Sequence, residues 1–389
     1  MNEILNFGMI GGGNGSFIGD VHHKAAIFDR KAKLVSGCFS RDFDNTLTAG
    51  KNYGLESERL YKNYKEMAEK EGARDEKIDF VVIVTPNSSH FEIARAFLQK
   101  GINVVCDKPL TLEVKEAEEL ENLMEKNDLL GCVTYTYSGY PMVKYAREII
   151  KKGEIGKIRM VTGEYIGDSM VLPVEKSGNK RLLWRVDPKY SGKSHCVAGI
   201  GTHIEYLISY VTGLQIDSLC ANLDIFVEER RLDDNAEILL KYKNGASGIY
   251  WCSKIAVGYK NSLKIRVIGE KGSIEWEQKD HDNLKVAYLG GPVQILSRER
   301  DNLYPLASKA CRLPVGHPEG FYEAFANIYS NFIDALLAKK ANKPYLGDFD
   351  FPDFKDGTRG IKFIDLCVKS SLNGAWISAE SSKHNLIDS

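Results

Sequence analysis

Alternating apolar and amphipathic segments fill the first third of the chain. Short apolar runs typical of strands occur at 4–10, 33–39, 79–85, 103–106 and 130–135. The run at 79–85 is rich in β-branched residues, as in a strand buried on both faces. Stretches with apolar positions at helical spacing lie between them, at 22–28, 88–99 and 113–126. Strands that alternate with helices predict a parallel, doubly wound sheet with crossover helices. We therefore assign 1–133 to an α/β domain.

The pattern changes after residue 134. A helix is predicted at 140–151 and a strand at 158–166, whereas the stretch 173–199 carries little periodicity. Beyond a helix at 202–211, apolar runs separated only by turn signals lie at 216–227, 236–242, 247–253, 263–269 and 273–276. Two helices follow, at 319–338 and 357–372. We assign 134–389 to an α+β domain with a large, mostly antiparallel sheet, whose open face suits a substrate site or a subunit contact.

The composition is that of an ordinary globular protein. Of the 389 residues, 43% are hydrophobic and 27% are charged, which excludes disordered, collagen-like and disulfide-scaffold classes. Because 52 basic residues face 53 acidic ones, the net charge is −1, and no electrostatic attraction to nucleic acid or to an anionic membrane is expected. No apolar run approaches the ~20 residues that span a bilayer. Neither nucleic acid nor a membrane is predicted as a partner.

The eight cysteines give no sign of a metal site or a disulfide framework. No two of them form a CxxC pair, and most lie in apolar runs, which is typical of buried free thiols. No HExxH or paired-carboxylate spacing occurs either, so no metal is predicted. The first residues lack the basic and apolar regions of a signal peptide, and a cytoplasmic location is expected.

A glycine cluster follows the first predicted strand and precedes a helix, which is the context of a dinucleotide-binding turn in a Rossmann fold. It runs from Gly11 to Gly19. Glycines permit the tight turn and bring backbone amides close to a pyrophosphate at the helix N-terminus. A strict GxGxxG fingerprint would need glycine at Ser16, and Gly19 fits the third position better. The residues predicted to bind a dinucleotide here are Gly11, Gly13, Asn14, Gly15, Phe17 and Ile18.

The end of the second predicted strand bears on the choice between NAD and NADP. An acidic residue at the tip of this strand would hydrogen-bond the ribose hydroxyls of NAD. Here the strand ends in Ser40 and Arg41 instead, which suit a 2′-phosphate and favour NADP, while Asp42 keeps NAD open. The alternative is that Arg41 is a solvated surface residue, as arginines usually are.

Three further motifs follow in order along the chain. The segment Thr85–His90 (TPNSSH) ends one buried strand, Cys106–Leu110 (CDKPL) ends the next, and Gly201–His203 (GTH) begins a helix. With the glycine cluster, and over nearly the whole chain, the sequence resembles the Gfo/Idh/MocA oxidoreductases, which include glucose–fructose oxidoreductase and inositol dehydrogenase. The tracts Trp184–Pro188 and Gly316–Gly320 resemble those of the sugar and polyol dehydrogenases of that family.

The resemblance implies two catalytic residues. Lys108 would lie beside the substrate hydroxyl and the nicotinamide, where an amine at the edge of a sheet can stabilise a developing alkoxide. His203 would exchange a proton with the alcohol, because imidazole titrates near neutrality. Thr202 is expected to cap the helix that carries His203.

The resemblance also implies binding residues and partners. Expected contacts with NAD or NADP are Thr85, Pro86, Asn87, His90, Asp107, Lys108, Trp184 and Arg185. Expected contacts with the substrate are Lys108, Tyr137, Arg185, Asp187, Thr202, His203, Tyr206 and His317. A carbohydrate or polyol is expected as substrate, since aromatic and charged side chains suit the apolar face and the hydroxyls of a sugar ring. A homo-oligomer, a dimer or a tetramer, is expected as well.

The sequence departs from the family pattern at two positions. The usual Asp-Ile-Gly-Thr-His begins here with Gly199, so the carboxylate is absent. Asp168, Asp187 and Glu205 are candidates to supply one. Tyr206 stands where related sugar dehydrogenases often carry Asn or Asp.

These features leave three hypotheses for the function. The first is an NAD(P)-dependent dehydrogenase that transfers a hydride between the nicotinamide and a secondary hydroxyl of a cyclic sugar, polyol or glycoside. The second is NAD-assisted glycoside cleavage through a transient keto-sugar, for which the missing aspartate leaves room. The third is a non-catalytic NAD(P)-binding protein. Cofactor binding, reduced-cofactor formation and aglycone release distinguish them.

Overall fold

The computed structural model describes residues 3–177, 180–298, 302–343 and 350–380. The chain divides into two compact units, of which the first comprises 1–139 and 321–359 and the second 140–320 and 360–389. The units are discontinuous because residues 321–359 belong with the N-terminal part of the chain. The contiguous domains 1–133 and 134–389 stay a prediction about the sequence.

The first unit is built on a five-stranded parallel sheet. Its strands are β1 (Leu5–Gly11), β2 (Ala32–Cys38), β3 (Phe80–Val84), β4 (Asn103–Cys106) and β5 (Gly131–Val133). Their order is β2-β1-β3-β4-β5, so the order reverses between β1 and β3. Beyond β2, a single parallel bridge between Gly37 and Leu60 extends the sheet. In open α/β sheets ligands bind at such a reversal, outside the carboxyl ends of the strands.

Helices cover both faces of this sheet. They are α1 (Phe17–Ile27), α2 (Phe43–Asn52), α3 (Tyr64–Gly72), α4 (His90–Leu98) and α5 (Val114–Lys126). Phe7 and Met9 of β1 belong to one core cluster with Val21 of α1. A Cβ on Gly8, which points to the other face, would lie 2.3 Å from Met67 of α3. The sheet is therefore doubly wound, as predicted.

The second unit contains a nine-stranded sheet. Its strands are β6 (Ile158–Ile166), β7 (Ile216–Asp224), β8 (Asn235–Tyr242), β9 (Ser247–Ser253), β10 (Ser262–Gly269), β11 (Gly272–Glu277), β12 (Asn283–Tyr288), β13 (Val293–Ser297) and β14 (Ile377–Ser378). They are arranged in the order β13-β12-β11-β10-β6-β9-β8-β7-β14. Only β6 and β9 pair in parallel. The predicted mostly antiparallel sheet is confirmed, and β12 to β14 extend it beyond the predicted strands.

The remaining helices are α6 (Pro141–Lys151), α7 (Lys180–Val186), α8 (Pro188–Ser191), α9 (Thr202–Thr212), α10 (Pro305–Lys309), α11 (Phe321–Lys340) and α12 (Phe354–Asn373). The stretch 173–199, predicted to lack regular structure, contains α7 and α8. These helices are too short to show a hydrophobic period in the sequence. Residues 178–179 of that stretch lie outside the described part of the chain.

The helix α11 completes the core of the first unit. Its Phe325, Tyr329 and Phe332 are almost fully buried and belong to the same cluster as Phe7 of β1. The ring of Phe332 lies edge-on to Phe80 of β3, with the ring centroids 5.4 Å apart. Within the described residues, no helix is both long and apolar enough to cross a membrane.

Candidate active site

The turn after β1 has a backbone that requires glycine. Gly11, Gly12 and Gly15 adopt φ values of +84°, +76° and +80°. A Cβ on Gly11 would lie 2.7 Å from the carbonyl oxygen of Val84, so β1 and β3 approach closely at their carboxyl ends. Such a turn leaves backbone N–H groups accessible to a phosphate group.

The helix after this turn begins against the turn itself. The Ser16 hydroxyl caps α1 by accepting a hydrogen bond of 3.2 Å from the Gly19 N–H. A Cβ on Gly19 would lie only 2.3 Å from the Cα of Gly12, so any larger residue would force the helix away. The Asn14 N–H donates to the side-chain oxygen of Asn45, 3.0 Å away. Phe17, in the first turn of α1, is 72% exposed and free to contact a ligand.

The end of β2 is held by hydrogen bonds within its own loop. The Ser40 N–H donates to the Thr46 hydroxyl at 3.0 Å, and the Ser40 hydroxyl accepts from the Asp42 N–H at 3.1 Å. The Asp42 carboxylate caps α2 by accepting from the Asp44 N–H. Arg41 is exposed. The local bonds thus engage Asp42, and Arg41 is the charged side chain of this loop that points to solvent.

A buried histidine ties the ends of β3 and β4 together. Nδ1 of His90 lies 2.8 Å from the carbonyl oxygen of Pro109, and Nε2 lies 2.8 Å from that of Thr85. Because carbonyls only accept, each contact is a hydrogen bond when that nitrogen carries its proton. His90 is 1% exposed. It therefore positions the two loops, and the exposed Pro86 and the buried Asn87 lie in the first of them.

Lys108 lies in the second of these loops, half-buried at the carboxyl end of β4. The Asp107 carboxylate accepts hydrogen bonds from the Lys108 N–H at 2.8 Å and from the Thr134 hydroxyl at 3.1 Å. The Lys108–Pro109 peptide is cis. Tyr137, in the short helical turn that follows β5, is 6% exposed. The predicted residues of the first unit therefore gather at the carboxyl ends of adjacent strands.

A buried pair of side chains, His22 and Tyr329, was not predicted from the sequence. Nδ1 of His22, in α1, lies 2.7 Å from the hydroxyl of Tyr329, in α11. Burial lowers the pKa of His22 to about 4, against a smaller opposite effect of Asp107. The ring is therefore neutral at pH 7.

In the second unit, His203 follows a π-helical turn at Val197–Gly201 that runs directly into α9. The Thr202 hydroxyl donates to the carbonyl oxygen of Ala198 at 3.1 Å. The expectation that Thr202 caps α9 was wrong, since the helix continues through this point and needs no cap. His203 is 8% exposed, with its ring centroid 6.0 Å from that of Tyr165.

A buried carboxylate holds the segment that leads to His203. Asp233 accepts four hydrogen bonds, from the Ser194 hydroxyl and from the N–H groups of His195, Cys196 and Val197, at 2.8–3.0 Å. Burial raises the pKa of Asp233, and these four donors oppose the rise. Since the donors lie at the beginning of the helical segment, the carboxylate acts as its N-terminal cap.

Arg230 fixes the neighbouring loop in a similar way. Its guanidinium, fully buried, contacts Glu175 at 3.0 Å and Asp234 at 3.3 Å, and donates to the carbonyl oxygen of Met170 at 2.9 Å. Neither Asp233 nor Arg230 was predicted as a site residue. Each acts on a segment far away in sequence, so no local motif marks it.

The other predicted residues of the second unit are placed as follows. Trp184 is half-buried, and the exposed Arg185 guanidinium lies 5.6 Å from the centre of its ring. Asp187 caps α8 and forms an ion pair of 2.8 Å with Arg231, so the carboxylate is already engaged. His317 is exposed.

Tyr206 is 3% exposed and stacks on Tyr210 of the same helix, with the ring centroids 5.9 Å apart. Among the described residues, no group of three or more His, Cys, Asp or Glu side chains is arranged to hold a metal ion. The site residues described above supply amine, imidazole, hydroxyl and backbone N–H groups. These suit proton transfer and the binding of phosphate.

Comparison with known proteins gives a consistent set of relatives. Residues 5–135 match the oxidoreductase family with an NAD-binding Rossmann fold, and residues 143–275 match the GFO/IDH/MocA C-terminal domain. The uncharacterised oxidoreductase YfiI of Bacillus subtilis (strain 168) is 35% identical over 97% of each chain.

Two solved structures of an inositol dehydrogenase homolog from Azotobacter vinelandii are also similar. The complex with NAD⁺ is 36% identical, with a TM-score of 0.94 and 97% of each chain covered. The complex with NADH and myo-inositol is 35% identical, with a TM-score of 0.89, and covers 97% of this chain and 98% of the other.

Proposed function

The chain belongs to the GFO/IDH/MocA family of oxidoreductases, and we propose that it is an NAD-dependent dehydrogenase of a cyclic sugar or polyol. The observation that carries the proposal is the edge of the first unit's sheet. There the glycine turn, the Thr85–His90 loop and the loop of Lys108 end three neighbouring strands. The similar protein from Azotobacter vinelandii binds NADH and myo-inositol, which favours a cyclic polyhydroxy substrate.

The first unit has the features that a dinucleotide requires. The glycine turn cannot accept side chains at Gly11, Gly12 or Gly19 without moving backbone, and it leads directly into the N-terminus of α1. Backbone N–H groups of Gly13 and Gly15 would hold the pyrophosphate, while the N–H of Asn14 is engaged by Asn45. The exposed Phe17 and the half-buried Ile18 would cover it. Asn87 and the loop that His90 fixes would contact the nicotinamide half.

The nicotinamide, when bound, accepts the hydride that leaves the alcohol carbon. The protein has to accept the hydroxyl proton and to stabilise the negative charge that develops on the oxygen. In our proposal the Lys108 amine donates a hydrogen bond to the substrate oxygen and stabilises the developing alkoxide. His203 accepts the proton, and Asp233 positions the helix that carries it. Trp184, Arg185 and Tyr137 contribute to binding of the substrate or cofactor.

We also propose that the protein forms a homo-oligomer in a reducing compartment, the cytoplasm. Leu239 of β8 and Ile249 of β9 pair across the large sheet and are 47% and 50% exposed, and exposed apolar side chains that adjoin one another favour a subunit contact. All eight cysteines are free thiols. Analytical ultracentrifugation of the purified chain tests the oligomer: a dimer or tetramer supports it, and a monomer contradicts it.

Replacement of Lys108 tests the catalytic proposal. We expect Lys108→Met to lower kcat by at least about a hundredfold, because the alkoxide loses its charged donor. The measurement is reduced-cofactor absorbance with a panel of inositols, sugars and glycosides, with NAD and with NADP.

Two controls make the test specific. Lys100→Met removes an exposed lysine that pairs with Glu69, and full activity is expected. Calorimetry should show that Lys108→Met still binds NAD. A wild-type protein that binds no nicotinamide cofactor contradicts the proposal, and release of an aglycone without net NADH points to cofactor-assisted glycoside cleavage instead.

A further inference from the structure

The loop after β2 is joined directly to the glycine turn. The Asn14 N–H donates a hydrogen bond of 3.0 Å to the side-chain oxygen of Asn45, in the first turn of α2. A Cβ on Gly13 would lie 2.7 Å from this same oxygen and 2.9 Å from the carbonyl oxygen of Phe39. In a dinucleotide-binding fold the adenosine ribose lies at the end of the second strand, next to the pyrophosphate. Residues 39–45 therefore border the position of that ribose.

The acidic residue of this loop is held by its own backbone. An acid that selects NAD accepts hydrogen bonds from the ribose hydroxyls. Here the Asp42 carboxylate accepts from the Asp44 N–H at 3.0 Å and caps α2, while the Asp42 N–H donates to the Ser40 hydroxyl at 3.1 Å. Because one carboxylate oxygen is directed at the helix, Asp42 is a weak barrier to a phosphate on the ribose.

The basic residue of the loop has no such commitment. Arg41 is exposed, and among the described residues none forms an ion pair or a hydrogen bond with its guanidinium. A guanidinium presents a planar fork of N–H donors that matches two oxygens of one phosphate group. The side chain of Arg41 is thus available to an anionic ligand at the end of β2.

Other charged groups beside the loop leave it electrically balanced. Nζ of Lys62 lies 5.6 Å from the centre of the ring of the first residue of α2 and adds a positive charge. The exposed Asp44 adds a negative one. Glu66 accepts from the Lys62 N–H and pairs with a lysine of its own helix at 2.7 Å, so its charge is compensated. With Arg41 and Asp42 counted as well, the loop neither strongly repels nor requires a phosphate.

We propose that Arg41 binds the 2′-phosphate of NADP and that the enzyme therefore uses NADP as well as NAD. This inference rests on the proposed function, because it takes the glycine turn as the pyrophosphate site. With NADP the guanidinium donates charge-assisted hydrogen bonds to the phosphate oxygens. With NAD, which lacks this phosphate, Arg41 stays in solvent, so binding of NAD does not depend on it.

Replacement of Arg41 tests the inference by kinetics. With a polyol that the wild type oxidises, we would measure kcat/KM for NAD and for NADP. Arg41→Ala should lower kcat/KM for NADP roughly ten- to a hundredfold, because a hydrogen bond to a charged group is lost, and should leave that for NAD unchanged. Arg41→Lys should retain part of the activity with NADP, since it keeps the charge without the fork.

A control removes a cation from the same helix at its other end. Lys51 is exposed in the last turn of α2, and Lys51→Ala should change neither value. An effect of Lys51→Ala on NADP equal to that of Arg41→Ala would show that net charge alone, rather than a contact of Arg41, governs the choice of cofactor, and would overturn the inference.

Binding of cofactor fragments gives a readout that needs no substrate. Calorimetry would compare adenosine 2′,5′-bisphosphate, which carries the 2′-phosphate, with adenosine 5′-monophosphate, which lacks it. The wild type should bind the bisphosphate at least about tenfold more tightly, and Arg41→Ala should bind both with the same affinity. Equal affinities in the wild type would overturn the inference.

The outcomes separate this inference from the proposed function. Oxidation with NAD and none with NADP overturns the role of Arg41 and leaves the dehydrogenase proposal intact. Use of both cofactors that is unaffected by Arg41→Ala does the same. A wild-type protein that binds neither cofactor contradicts both proposals together.

Discussion

The pKa of a buried residue in this protein depends on the groups that surround it. His22 is deeply buried beside Tyr329, so burial dominates and the pKa of His22 falls to about 4. Asp233 is also buried, but four donors surround its carboxylate and oppose the rise of its pKa. Burial thus shifts the pKa of both groups towards the neutral form, and in Asp233 the four donors limit that shift. We therefore test His22 through the pH dependence of stability and Asp233 through the effect of its substitution.

The pH dependence of stability tests the state of His22. Its folded-state pKa of about 4 lies below the ordinary value of 6.5, so below pH 6.5 the unfolded chain binds more protons and the native state loses stability. Between pH 7 and pH 5 this group contributes a loss of about 2 kcal/mol in the free energy of unfolding. We expect His22→Gln to show a correspondingly smaller loss in urea unfolding at the two pH values.

A surface histidine supplies the control for this measurement. His317 is exposed, and His317→Gln should leave the pH dependence of unfolding as it is in the wild type. If His22→Gln loses as much stability as the wild type between pH 7 and pH 5, His22 is not held neutral in the folded protein.

At the scale of elements, the candidate site depends on helices that begin where strands or loops end. The cap of α1 by Ser16 and the contact between Gly12 and Gly19 fix the glycine turn. In the second unit, the segment from Ser194 to His203 begins at the Asp233 carboxylate. Both helix starts use short-range polar contacts rather than apolar packing to set their position, so they are sensitive to the loss of one acceptor.

Replacement of Asp233 tests this role. Asp233→Asn retains one acceptor oxygen and introduces donors that face other donors, so we expect a loss of about 2–4 kcal/mol in the free energy of unfolding. We also expect a lower kcat, since the segment carries His203. Thermal unfolding and steady-state kinetics measure the two effects.

The exposed Asp217, also in the second unit, gives the control Asp217→Asn, which should match the wild type. Wild-type stability in Asp233→Asn would refute the capping role.

The sequence predicted those elements whose signals are local. Short apolar runs predicted β1, β3 and β4, and the glycine turn was identified because its residues are adjacent. Asp233 escaped prediction since it acts on residues about forty positions away. The helices α7 and α8 were missed because a hydrophobic period needs more turns than they have.

At the scale of the whole molecule, the first unit is assembled from two distant parts of the chain. Its sheet comes from residues before 134, whereas Phe325, Tyr329 and Phe332 of α11 complete the core that covers one face. Burial of each such side chain contributes roughly 2 kcal/mol. Domains of this size are stable by only about 5–15 kcal/mol in total. Loss of the buried side chains of α11 is therefore expected to destabilise the unit severely.

Truncation tests this dependence. We expect a chain that ends after residue 320 to lose cooperative unfolding and NAD binding, although it retains the glycine turn and Lys108. Circular dichroism during heating and calorimetry with NAD measure both properties. A chain that ends after residue 380 keeps α11 and α12 and should behave as the full-length protein. NAD binding by the shorter chain would show that α11 is dispensable for the first unit.

The late position of α11 in the chain also delays folding of the first unit during translation. A ribosome completes all five strands of the first unit long before it reaches residue 321, so the part of the apolar core that α11 covers stays exposed while almost two hundred further residues are translated. Exposed apolar surface of this kind is what chaperones bind and what aggregates when they are scarce. Nascent chains of this protein should therefore need to be bound by chaperones until the last fifth of the polypeptide has been translated.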